Sequence, residues 1–143
     1  MSSRTQAGFV RAPAVAGCFY AADPGTLARD VAAHIGDASA AQGALGLVAP
    51  HAGYVYSGAI AGRTFARAQV PPRVIVLAPN HTGRGCAVSV LPAGLFRVPT
   101  ADVPIDEDLV DALVTALPGA ERDVAAHETE HAAEVEVPFL FAR

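Results

Sequence analysis

Two short runs of continuous apolar residues constrain this chain more than any other feature. The first is Ala44–Ala49 (ALGLVA), closed by Pro50 and followed by His51. The second is Val74–Ala78 (VIVLA), closed by Pro79 and followed by Asn80 and His81. Such a run, with no polar alternation, is the pattern of a β-strand buried on both faces. Between the two runs, Ile60, Phe65 and Ala68 lie in a segment that reads as a helix, with Ser57 as candidate N-cap and Pro71-Pro72 as its stop. Strand, helix and strand in that order form a βαβ unit, whose parallel crossover is almost always right-handed. The expected fold class is therefore α/β, with a mainly parallel sheet flanked by helices.

The rest of the chain fits this frame. Arg11 to Gly25 is punctuated by Pro13, Gly17, Pro24 and Gly25 and reads as irregular. Asp23 can cap a helix with Pro24 in its first turn, and Leu27, Val31 and His34 recur at helical spacing up to Gly36. Cys86–Leu91 alternates as a third strand would, and Phe96–Ile105 reads as a loop or a short edge strand broken by proline. Asp106 opens an amphipathic helix through Leu109, Leu113 and Leu117 to Gly119. The last stretch, from His127, starts acidic and rich in histidine and ends apolar as VEVPFLFAR. No repeat or linker interrupts the chain, so residues 1–143 are expected to be one domain.

Composition removes several function classes. A chain of 143 residues buries roughly 70% of its unfolded surface, enough for a real core. With 52% hydrophobic and 17% charged residues, disorder is not expected. A net charge of -4, with no Lys/Arg cluster, offers nothing for nucleic-acid phosphates. No run approaches the ~20 apolar residues of a membrane span, and no signal peptide is apparent at the start. Cys18 and Cys86 form neither a disulfide framework nor a C-x-x-C pair, so a cytoplasmic location is expected. Neither GxGxxG nor a Walker A string occurs, which argues against a nucleotide-binding enzyme.

Ligands of open parallel sheets bind beyond the carboxyl ends of the strands. His51 and His81 both take that position, through the matching strings GLVAPHAGY and IVLAPNHTG. Neutral imidazole is the commonest protein ligand for zinc, iron and copper, so a shared metal is the sharp reading. Two histidines do not complete a three-ligand site, and ordinary hydrogen bonding to loop backbone stays open beside it. Tyr54 and Tyr56 flank His51, either to orient a substrate or to pack on the sheet rim. His127, Glu128 and His131 formally match H-E-x-x-H, the metalloprotease string. The acidic surroundings and Pro138 favour a solvated helix start instead.

Taken in order, RAPAVAGCFYAADPGTL, GLVAPHAGYVYSGAIAGRTF, VIVLAPNHTGRG and HETEHAAEVEVPFL resemble the N-terminal half of the Memo family, known in bacteria as the B component of the AmmeMemoRadiSam system. The resemblance implies a fold like that of the class III extradiol (LigB-type) dioxygenases. It implies that His51 and His81 are metal ligands, with iron or copper ahead of zinc. His131, in the family's Glu-His-Ser motif, corresponds to the dioxygenase acid/base histidine. Asn80, Glu130, His127, Tyr54 and Tyr56 are then candidates for contacting substrate or supporting the ligands. The family's third ligand is a cysteine from its C-terminal half, and neither Cys18 nor Cys86 lies where it would be. The motif here reads Glu130-His131-Ala132, and the segment normally Thr-Pro-Leu-Gly reads Val98-Pro99-Thr100-Ala101.

By this resemblance the fold is expected to be incomplete at its C-terminal end, the chain being a fragment, a truncated reading frame, or a remnant whose sheet a second polypeptide completes; a homo-oligomer is the other partner expectation. Metal-dependent redox or dioxygenase-type chemistry on a small molecule is the leading expectation. The family's link to cell-motility signalling makes a peptide-binding scaffold the competing one.

Overall fold

The computed structural model describes residues 8–143. Helix α1 (Pro24–Ile35) starts where the sequence places its cap: the Asp23 carboxylate accepts the Thr26 backbone N–H at 2.7 Å, and Pro24 sits in the first turn. It ends at Gly36, whose φ of 61° a side chain would disfavour. Leu27, Val31 and Ile35 form its buried face. Helix α2 (Tyr54–Ala66) begins three residues before Ser57, with Gly53 as N-cap. Ser57 is inside the helix and donates its hydroxyl to the Ala52 carbonyl at 2.9 Å. It marks the start of the helix without capping it, because a serine can bond locally to the preceding turn.

The two helices approach closely at Gly62, where a Cβ would overlap the His34 carbonyl. Phe139 fills the junction. It stacks on Phe65 at 5.5 Å between ring centres and tilts against Tyr54 at 4.9 Å, with Leu27 and Val135 in the same cluster.

Strand β1 (Val10–Arg11) pairs parallel with β3 (Leu95–Val98), which forms an antiparallel hairpin with β4 (Ala101–Pro104). The segment read as a loop or edge strand is thus two strands, and Pro104 falls at the hairpin's end opposite Leu95. Strand β2 (Val88–Val90), within the expected third strand, pairs parallel with β5 (Ala120–Arg122). Helix α3 (Glu107–Ala116) is capped by Asp106, which accepts the Leu109 N–H at 3.0 Å. The chain around His127 runs in turns, not in the expected helix start. After it come a 3-10 turn (Glu134–Glu136) and the short helix α4 (Val137–Phe141).

The two apolar runs depart from expectation. Neither Ala44–Ala49 nor Val74–Ala78 is a strand, and their backbone groups make no hydrogen bond to other backbone among the described residues. Leu45, Val48 and Leu77 are exposed at 112%, 94% and 90%. The physical reason is that an apolar run becomes a strand only when a neighbouring strand supplies a ladder, and a strand of a parallel sheet needs cover on both faces. No described segment supplies either. The structure is thus mixed α/β, with four helices and two small sheets among the described residues, instead of one mainly parallel sheet. No described helix is long and apolar enough to cross a membrane.

Candidate metal centre

The ends of the two apolar runs nonetheless converge. His51 lies three residues ahead of α2, and the first turn of that helix is fixed by the Tyr54 N–H donating to the Phe19 carbonyl at 2.7 Å. His81 sits in a tight loop organised by Asn80. The Asn80 side-chain oxygen accepts from the Thr82 hydroxyl at 2.8 Å and from the Thr82 and Gly83 N–H groups at 3.1 Å, while its amide donates to the Arg84 carbonyl at 2.7 Å. His131 comes from the turn before Glu134–Glu136. The ring centres of His51 and His81 are 5.2 Å apart, those of His81 and His131 4.5 Å, and those of His51 and His131 6.0 Å. One ring nitrogen from each lies within 4.8 Å of the other two.

Glu130 organises this group. It is 7% exposed, and its carboxylate accepts the His81 N–H at 2.5 Å, the His131 and Ala132 N–H groups at 2.9 Å, and the His81 ring at Nδ1 at 2.8 Å. Burial would raise its pKa. The hydrogen bonds from the His81 ring and from the Ala132 and His81 N–H groups outweigh that and hold it at about 2. In the neutral ring of His81, an ionised Glu130 makes Nδ1 the protonated nitrogen and leaves the lone pair on Nε2. Burial pushes the His131 pKa down, and His81 and His51 add to this against the pull of Glu130. His131 is therefore neutral at pH 7 and able to accept a proton or a metal.

The other sequence candidates separate from this group. His127 is not among the clustered nitrogens; its Nε2 faces the Ser89 hydroxyl at 3.0 Å, and burial lowers its pKa. Because the segment is not helical, His127 and His131 lack the shared face that H-E-x-x-H requires. Glu128 pairs with Arg84 at the surface at 2.9 Å. Tyr54 is buried and donates its hydroxyl to the Val135 carbonyl at 2.8 Å, so it packs and braces. Tyr56 is 85% exposed. Cys18 is exposed, and Cys86 is half-buried just ahead of β2.

Sequence reasoning does not single out Phe19, whose ring lies 4.8 Å from His131. Nor does it single out Arg11 and Glu134, both buried and ion-paired. The available signal was a charged residue inside an apolar stretch, since such a group folds inward only with a partner. A groove of about 650 Å³ lies elsewhere, between α1, the β3–β4 turn and α4, and none of the three histidines lines it.

The donor set fits a metal ion. It offers three imidazoles within ligand reach of one another, one of them oriented by a buried carboxylate.

The sequence profile described as Memo-like protein matches residues 11–143. A MEMO1 family protein of Methanopyrus kandleri is 39% identical over 143 residues, covering 91% of this chain and 50% of the relative. MEMO1 family proteins of Thermotoga neapolitana and Methanothermobacter thermautotrophicus are each 37% identical, over 92% of this chain and 53% and 52% of their own lengths. The chain spans about half the length of the curated relatives it matches. With a profile match over nearly its whole length and relatives of this identity, the chain belongs to the Memo family.

Proposed function

We propose that this chain carries a non-haem metal site in which His51 and His81 are ligands and His131 is the neighbouring proton carrier. The observation behind this reading is the convergence of three histidine nitrogens within 4.8 Å, with Glu130 setting the orientation of His81. Iron or copper suits imidazole ligands on a site with open positions. When bound, such a metal supplies Lewis-acid and redox chemistry toward a small molecule. The chain's own residues do the rest. Glu130 keeps the Nδ1 proton of His81 in place. Phe19 packs beside His131 and limits its contact with water. Neutral His131 accepts or returns a proton at its free ring nitrogen. Asn80 holds the loop that carries His81.

A second reading makes His131 the third ligand, and its distance to the other two histidines favours it equally. The fold proposed for the whole site is of the LigB type, with residues 1–143 as one Memo-like domain. In it the runs at Ala44–Ala49 and Val74–Ala78 pair with strands from polypeptide outside these residues.

Titration of purified protein with Co(II), and anaerobically with Fe(II), tests the proposal on the parent and on His51→Ala, His81→Ala, His131→Ala and His127→Ala. Loss of binding in His51→Ala and His81→Ala, with His127→Ala unchanged, is the expected result. Retained binding in His131→Ala shows that it is not a ligand, as the proton role requires, and lost binding makes it one. Loss in His127→Ala alone would sink the site.

A further inference from the structure

Arg11 on β1 is 1% exposed and spreads its guanidinium over three acceptors that are distant in sequence. Nε donates to the His127 carbonyl at 2.9 Å, Nη2 to the Glu130 carbonyl, and Nη1 to the carboxylate of Glu134. The plane also lies over the Phe96 ring, 4.6 Å from its centre. Glu134 is equally enclosed. It accepts the Ala14 N–H at 2.8 Å, the Val15 N–H at 3.1 Å and the Tyr20 hydroxyl. Every polar atom of this pair has a partner.

Stability alone is a poor reason for such a pair, because desolvating two charges costs about as much as their attraction returns. Placement is a better one. Between His127 and Glu130 the chain runs in turns, and no helix or ladder holds it. The Arg11 fork holds the carbonyls at both ends of that turn. Glu130 is the residue whose carboxylate orients His81, so the position of its main chain sets the direction of the His81 ring. Through Glu134 the same network anchors residues 14–20, which carry Phe19 against His131.

We infer that Arg11 and Glu134 form a positioning clamp for the metal centre, holding the Glu130 turn so that its carboxylate fixes the Nδ1–H tautomer of His81. This rests on the proposed metal reading. Lysine cannot replace the clamp, because a single ammonium cannot span three acceptors in the geometry of a planar fork.

The test compares the parent with Arg11→Lys and Tyr20→Phe, the second removing one donor to Glu134 while keeping the ring. Histidine ring ¹⁵N NMR on metal-free protein reads the His81 tautomer, Co(II) titration reads affinity, and urea unfolding shows that each variant is folded. The expected result is a His81 held as Nδ1–H in the parent and a mixture of tautomers in Arg11→Lys. Co(II) affinity should fall about tenfold or more in Arg11→Lys, in line with the loss seen when groups that orient metal ligands are removed. Tyr20→Phe should give a smaller shift in the same direction. If Arg11→Lys does not fold, Tyr20→Phe alone decides the question by the same two readouts. An unchanged tautomer and affinity in a folded variant would overturn the clamp. A parent that holds the Nδ1–H tautomer yet binds no Co(II) would overturn the metal reading and leave the clamp standing on the tautomer.

Discussion

Glu136 offers the sharpest quantitative test of how this segment is built. It is 8% exposed, and neither of its carboxylate oxygens has a hydrogen-bond partner among the described residues. Burial alone raises its pKa from 4.5 to about 7. A carboxyl with a raised folded-state pKa contributes stability below its unfolded value, and that contribution is lost as pH rises through the folded value. Linkage between 4.5 and about 7 gives a penalty of roughly 1 kcal/mol at pH 5 and about 3 kcal/mol at pH 8. Glu136→Gln removes the titration and keeps the shape. Its own buried amide costs the same at both pH values, so the difference between them is the clean quantity. Relative to the parent, Glu136→Gln should gain about 2–3 kcal/mol of stability between pH 5 and pH 8. Urea unfolding followed by circular dichroism at pH 5, 6, 7 and 8 measures it. Glu130 does not interfere, because its depressed pKa places its contribution above the usual carboxylate range, with loss only as pH falls toward about 2. Parallel stability curves for parent and variant would show that Glu136 meets water or a partner group, and would refute the reasoning.

Glu130→Gln should lower Co(II) affinity about tenfold to a hundredfold, because an amide no longer fixes the His81 proton; isothermal titration calorimetry reads it. Gly62→Ala should cost about 1–3 kcal/mol in chemical unfolding, since the added methyl forces α1 and α2 apart at the His34 carbonyl, and an unchanged midpoint would contradict the close approach. Backbone amides of Ala44–Ala49 and Val74–Ala78 should exchange with deuterium at nearly unprotected rates, read by mass spectrometry, as they donate to no backbone carbonyl. Slow exchange there in isolated protein would show that the runs have found a ladder.

The helices were legible because their signals are local. Asp23 and Asp106 each cap the helix that their spacing announces, and the cap acts within three residues. Ser57 misled by four residues, since Gly53 is the cap and the Ser57 hydroxyl bonds the Ala52 carbonyl instead. The apolar runs misled more deeply. Their pattern reports what a strand needs around it, and whether those neighbours exist is not a property of the run.

By itself, then, the sequence determined the caps of α1 and α3, the Memo motifs, and the positions of His51 and His81 at the ends of two apolar runs. Tertiary structure decided that the ring of His131, to which the family resemblance pointed as their neighbour, lies beside theirs while His127 turns to Ser89. It also decided that Glu130, held through its main chain by Arg11, orients His81. The reason is physical. A cap acts over one helical turn, whereas Arg11 lies 116 residues from His127 and 119 from Glu130, a separation across which no periodicity carries information.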